Sequence, residues 1–220
     1  MQHDRHDDFD ISVLTEAPAK DLSTVTAVLS AATNDVALLN FGDGEQGTMP
    51  ITEFYPNRRW EVGATYHLLR LGQQTRPTLS ASRPELITLL LDGLSPEVLN
   101  GSVRVMGVVR QVGIRSKIAV AATEDGIDPI AACVGPSAGR VRRLSEMLNG
   151  ERVDVVAWNP NPEVFIKNAL GTTVRSLEIS GPRANIIVPA HQYQAAVGGG
   201  GLNAALASRL TGVLLSVNSG

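Results

Sequence analysis

Four consecutive glycines, Gly198, Gly199, Gly200 and Gly201, separate two apolar segments and are the residues of this chain best suited to chemistry. After them Leu202, Ala205, Leu206, Leu210 and Val213 recur at three- and four-residue steps, the helical period. A glycine loop that opens a helix exposes backbone N–H groups at the positive end of the helix dipole, and phosphate is the natural guest there. Nucleotide hydrolysis is a poor fit, because its loop needs Lys and then Ser or Thr after the last glycine, and here Leu202 and Asn203 follow. A second such loop lies upstream, Gly135-Pro136-Ser137-Ala138-Gly139, with the densest basic cluster, Arg140, Arg142 and Arg143, directly behind it. Arg140 and Arg143 stand three apart and share a helix face, opposite an apolar stripe of Val141, Leu144 and Leu148. Both are candidates to hold phosphates lying on the loop.

Other reactive groups read as structural. Cys133 lies between Ala132 and Val134 on an apolar helix with no His nearby in sequence, the setting of a packed thiol. His3 and His6 have no further spaced ligands, so no metal site is expected. Acidic residues show no catalytic pairing, and neither an enzyme nor a cofactor is expected. Arg115 and Lys117 alternate on a candidate strand, so both are expected to face solvent on a sheet. Trp60 and Trp158 read as packing residues.

The elements that must position these groups follow from periodicity and turn signals. An alternating run at 23–29, a short apolar run at 36–41 between turn signals, and further candidates at 47–52, 65–71 and 76–80 predict five strands, which fit a small barrel of the OB type. From residue 83 a different order appears twice. Its first copy has a helix over 84–91, strands over 103–110 and 117–122, and a short helix opened by Asp128-Pro129. The glycine loop, a helix over 140–148 and a strand over 152–158 complete it. The second copy has a helix over 162–170, strands over 174–179 and 186–188, and a short helix after Pro189. The four glycines, a helix over 202–211 and a strand over 213–217 complete it. This α-β-β-α-loop-α-β order is that of a bacterial-type KH domain, whose Gly-x-x-Gly loop clamps about four nucleotides of RNA.

Charge is unevenly spread over a chain whose formal net charge is −3. Residues 1–22 carry six acidic and two basic side chains, whereas residues 101–220 carry twelve basic and eight acidic. The back half therefore permits a polyanionic partner. One cysteine excludes an internal disulfide framework, no run approaches a membrane span, and the acidic start is unlike a signal peptide, so a cytoplasmic protein is expected.

The chain resembles the NusA family of bacterial transcription factors. The matching residues in the first copy are Arg115-Ser116-Lys117-Ile118-Ala119-Val120, Asp128-Pro129, Ala132-Cys133-Val134-Gly135-Pro136, Asn149-Gly150-Glu151, Asp154 and Trp158. In the second they are Phe165, Asn168-Ala169-Leu170, Val188-Pro189, Gln192, Val197-Gly198, Gly201, Asn203-Ala204, Ala207 and Arg209-Leu210-Thr211-Gly212. The resemblance is specific over 110–212 and looser over 22–82, where the family carries an S1-motif OB barrel. It departs from the family in its loops: Ala138 replaces the closing glycine of the first, with Gly139 just after it. Gly199 and Gly200 replace a Lys and an acidic residue in the second, and Ala205 replaces an Arg in the helix that follows. The family normally begins with an RNA-polymerase-docking domain, where this sequence has an acidic tail.

The resemblance implies an α+β protein with an acidic flexible tail over 1–21 and an OB barrel over 22–82. Two tandem type II KH domains, over 83–158 and 159–220, complete it. It implies a non-enzymatic, single-stranded-RNA-binding module that modulates transcription elongation, termination or antitermination, with RNA polymerase as a further partner. The other reading is a degenerate paralogue that serves as a protein scaffold or competitor with weak RNA affinity. The expected RNA-contacting set is Arg115, Lys117, Gly135, Pro136, Ser137, Ala138, Gly139, Arg140, Arg143, Gly198, Gly199, Gly200, Gly201 and Asn203.

Overall fold

A computed structural model describes residues 21–42, 44–53 and 61–220. The tail over 1–20, with His3 and His6, and Trp60 lie outside the described residues.

Strands β1 (Leu22–Ala32), β2 (Val36–Phe41), β3 (Glu45–Pro50), β4 (Thr65–Leu71) and β5 (Thr78–Ser80) close into a barrel in the order β1-β2-β3-β5-β4. This is the five-stranded arrangement of an OB fold. Alternation along the strands fills the interior: Ala27 and Leu29, Ala37 and Leu39, Met49, Leu68 and Leu79 are all essentially inaccessible. At Gly47 a Cβ would come within 2.9 Å of the Leu79 side chain and 3.0 Å of the Phe41 ring, so glycine lets β3 approach this closely.

Two α+β units follow, and their topology is the same. The first contains α1 (Glu85–Asp92), α2 (Pro96–Leu99), β6 (Val103–Gln111), β7 (Arg115–Ala122), α3 (Pro129–Val134), α4 (Gly139–Met147) and β8 (Arg152–Ala157). The second contains α5 (Pro162–Leu170), β9 (Ser176–Ser180), β10 (Arg183–Val188), α6 (Tyr193–Val197), α7 (Leu202–Thr211) and β11 (Leu214–Ser219). In each sheet the middle strand runs antiparallel to the strand before it and parallel to the strand that follows the helix pair. Helix starts are fixed locally. Asp128 Oδ1 accepts from Ile130 N (2.9 Å) and Ala131 N (3.1 Å), and Asn161 Oδ1 accepts from Glu163 N (2.9 Å), each with Pro at the next position.

The expected repeat is present, with several shifted bounds, and two of the differences have a clear physical reason. The four-residue helix α2 escaped periodicity because it is barely one turn long. Strand β10 begins at Arg183, ahead of the expected 186, because exposed Arg183 and Asn185 alternate with buried Ala184 and Ile186. That is the pattern of a sheet with one solvated face.

The three domains share cores. Leu69 of β4 belongs to the cluster built by Leu86, Ile87 and Leu90 of α1 with Ile118, Val120, Cys133 and Leu144. On the other face of the β6-β7-β8 sheet, Val109, Ala119 and Val156 pack with Leu206 and Leu210 of α7. Alternate residues of β7 thus face different cores, which is why the 118–120 stretch is apolar without a break.

Candidate nucleic-acid interface

Each glycine loop ends a short helix and opens a longer one, and the two have the same backbone. Gly135 (φ 72, ψ 171) matches Gly198 (φ 76, ψ 167), and Ser137 (φ 49, ψ 33) matches Gly200 (φ 60, ψ 21). Ala138 (φ 58, ψ 27) matches Gly201 (φ 81, ψ 4). The first loop therefore runs from Gly135 to Ala138, and it holds two non-glycine residues in left-handed conformations that cost roughly 1–2 kcal/mol each. Gly139 is the first residue of α4 with ordinary helical angles, so it does not supply the missing closing glycine. Pro136 brings no N–H where the second loop has Gly199.

The residue five places after each leading glycine is a staple. The Arg140 guanidinium donates from Nη1 to Glu97 Oε2 (2.8 Å) and to the Ala132 carbonyl. Asn203 Nδ2 donates to the carbonyls of Ala196 (2.8 Å), Leu170 (3.1 Å) and Ala195 (3.3 Å). Both side chains reach back to the end of the helix before the loop, satisfying carbonyls that a helix end leaves open. They also explain the leading glycines. A Cβ on Gly135 would lie 2.5 Å from Arg140 Cγ, and one on Gly198 would lie 2.8 Å from Asn203 N.

These contacts revise the expected set. Asn203 is 1% exposed and holds the loop from beneath, so it presents nothing to a ligand. Lys117 is 2% exposed, contrary to its expected solvent-facing position, because α7 covers this face of the sheet. Its Nζ donates to Asp154 Oδ2 (3.0 Å). Arg115 shares that carboxylate and lies on the same face, away from α3, α4 and the loop. Arg140 is turned inward as described.

The exposed cations beside the first loop are Arg142 and Arg143. Arg142 donates from Nη2 to the Ser137 carbonyl (2.8 Å), which lays its guanidinium against the loop, and Arg143 pairs with Glu146 (3.1 Å) at the surface. Arg142 was legible as part of the basic cluster, but a helix-face count favoured its neighbours. At the matching positions behind the second loop α7 has Ala205 and Leu206 instead, and its one basic residue, Arg209, sits at the far end and donates to the Arg110 carbonyl (3.0 Å).

A cleft of about 780 Å³ lies between the two units. Its walls include Ile130 of α3, the β8 edge at Val155 and Ala157, Lys167 and Asn168 of α5, Thr172, and Ala195 of α6. Ile130 and Ala195 belong to α3 and α6, the helices that lead into the two loops, and the loop glycines themselves are not among the cleft walls. Asn168 Nδ2 donates to the Ala157 carbonyl (3.0 Å), fixing the wall contributed by the second unit against the edge strand. Asn168 and Gln192, both among the residues that carry the family resemblance, line this cleft. The cleft arises only when the two units dock.

The family model for a NusA-like first KH domain matches residues 81–158, and that for a NusA-like second KH domain matches residues 162–220. The transcription termination/antitermination protein NusA of Mycobacterium tuberculosis is 34% identical over 176 residues, 76% of this chain and 51% of that protein. The protein of the same name from Thermus thermophilus is 32% identical over 212 residues, 91% of this chain and 54% of that protein. The Bacillus subtilis one is 29% identical over 216 residues, 94% and 58%. The chain thus spans about half the length of the curated relatives it matches. With two loops of matching backbone, one in each of two adjoining units that the two KH models cover, the chain belongs to the NusA family.

Proposed function

We propose that this chain is the single-stranded-RNA-binding module of a transcription termination/antitermination factor. The observation that carries it is the pair of glycine loops of matching backbone, one in each unit; with the cleft that α3 and α6 flank between the units, they outline a path for a chain molecule. Single-stranded RNA is the guest such a path suits, with loop N–H groups against the backbone and bases against the β8 edge. The curated relatives' shared name supports transcription termination and antitermination as the process; RNA polymerase as the machine acted on and the cytoplasm as the place belong to the same proposal. The role is one of binding rather than catalysis.

Grip within the path is unequal. Arg142 and Arg143 give the first loop its cations, while the second offers mainly the backbone of Gly199 and Gly200. Each cation lost relative to the family removes a phosphate contact, so affinity rests more on the first unit and on the cleft. The test is a titration of a labelled unstructured RNA of about twenty nucleotides into the wild-type chain and a Gly199→Asp/Gly200→Asp variant, with duplex DNA as comparison. Tighter binding of the RNA, weakened about tenfold by carboxylates in the second loop, is expected. Absence of RNA binding at low salt would overturn the reading.

A further inference from the structure

On the α7-facing side of the β6-β7-β8 sheet, at its β8 edge, lies a charge imbalance that the loop site does not use. Asp154 Oδ2 accepts from Arg115 Nε (2.7 Å) and Lys117 Nζ (3.0 Å), and Oδ1 accepts from Arg152 Nε (3.2 Å). Three cations thus share one carboxylate, and among the described residues no other acid pairs with them. The neighbouring Glu151 is engaged by Arg110, Ser116 and Gly113. Arg115, Lys117, Asp154 and Arg152 all project to the side of Ala119 and Val156, whereas Ile118 and Val120 face the helices that bear the loop. The cluster therefore lies on the sheet face opposite the loop. Arg152 is 70% exposed and commits only Nε, and its two Nη groups have no protein partner among the described residues.

We propose that Arg152 and Arg115, backed by Lys117, form a second phosphate site that takes the backbone of the same single-stranded RNA after it leaves the cleft over the β8 edge. This rests on the RNA-binding reading above. Two excess positive charges held close together repel one another, and a phosphate between them relieves that repulsion while matching the guanidinium fork. Continuity favours RNA over an acidic peptide. Strand β8 itself connects the sites: Val156 lines the cleft, and Arg152 is four residues earlier on the same strand and the same face, about 13 Å at the rise of a strand. About four nucleotides span that distance at the per-strand rise of a nucleic-acid helix.

The experiment measures the affinity of the full chain for unstructured RNAs of eight and twenty-four nucleotides across a salt series. Wild type is compared with Arg152→Gln, Arg115→Gln and an Arg142→Gln/Arg143→Gln loop variant. Arg152→Gln is the primary variant, because its exposed side chain leaves the fold undisturbed. It is expected to weaken the long RNA about fivefold and to lower its salt slope by roughly 0.7, with the short RNA unchanged, while the loop variant weakens both. Equal binding of the long RNA by Arg152→Gln and wild type overturns the site. A twelve-residue poly-glutamate that displaces the long RNA from this site at equal concentration overturns its assignment to RNA. If wild type binds neither RNA, the functional reading fails by itself, and inorganic tripolyphosphate then decides the site. Thermal stabilisation lost in Arg152→Gln but kept in the loop variant sustains a phosphate site, and stabilisation unchanged by Arg152→Gln overturns it.

Discussion

Arg110 and Glu151 form a bidentate ion pair at the point where all three domains meet. Arg110 Nε and Nη2 donate to the two carboxylate oxygens at 3.0 and 2.9 Å, and the side chains are 3% and 0% exposed. Arg110 Nη1 also donates to the carbonyls of Ala81 (2.9 Å) and Arg83 (3.0 Å) at the barrel junction, and the Arg110 carbonyl accepts from Arg209 of α7. Glu151 in turn accepts from Gly113 N (2.8 Å) and the Ser116 hydroxyl. Removing one partner of a buried pair leaves an uncompensated charge, which costs about 3–5 kcal/mol. Glu151→Gln is therefore expected to lower the unfolding free energy by about 3 kcal/mol in urea titration. A loss below about 1 kcal/mol would show that the pair does not hold the junction.

The leading glycines should separate sharply from their neighbours. Gly198→Ala puts a Cβ 2.8 Å from a backbone nitrogen at φ 76, so it combines left-handed strain of roughly 1–2 kcal/mol with a clash that cannot rotate away. Gly199→Ala meets nothing within 4 Å and has no positive φ, so its effect is expected within about 0.5 kcal/mol of zero. Paired thermal melts of the two variants check this contrast.

Acid should destabilise the protein through two carboxylates. Burial raises the Asp154 pKa, but Lys117 and Arg115 outweigh it and hold the group below its usual range. Burial acts likewise on Glu53, where hydrogen bonds from Ser82 and Ser80 prevail and again leave the pKa lowered. Between the lowered folded values and the ordinary carboxylate range the unfolded chain binds more protons. Stability is thus present above that range and is lost as pH falls through the folded values. Asp154→Asn should be less stable at pH 7, with Lys117 left buried and unpaired, yet lose less on acidification. Urea midpoints from pH 7 to pH 3 measure both effects.

Lys117 predicts the opposite end of the scale. Burial pushes its pKa down, with Asp154 only partly opposing. Between that lowered value and the ordinary lysine value the unfolded chain again holds more protons, so raising the pH through this alkaline window should favour the fold. Lys117→Met, which does not titrate, should lose that alkaline gain when the two midpoints are compared.

Cys133 is fully buried, and burial pushes its thiol up to about 11. Thiolate is the reactive form, so alkylation of the native chain at neutral pH should be slow and should rise with denaturant in step with unfolding. Rapid labelling without denaturant would contradict the packing around α3.

Local signals made most of the fold legible. Asp128-Pro129 and Pro162 announce helix starts that the structure shows, and the strand runs at 36–41 and 65–71 have the observed bounds. What stayed hidden depends on tertiary contact. Lys117 alternates with Arg115 and reads as exposed until α7 is seen to cover it. Arg140 reads as a ligand of the loop until Glu97, more than forty residues earlier, is found at its guanidinium. The cleft has no signature within either unit, because its walls belong to both.

The central claim, that exposed cations at the first loop hold RNA phosphates, is tested most directly by the salt dependence of RNA affinity. Wild type and the Arg142→Gln/Arg143→Gln variant are compared on one unstructured RNA, with log K plotted against log salt. Two lost phosphate contacts predict a slope shallower by roughly 1.4 and an affinity weaker by about tenfold at low salt. Identical slopes for the two proteins would contradict the account.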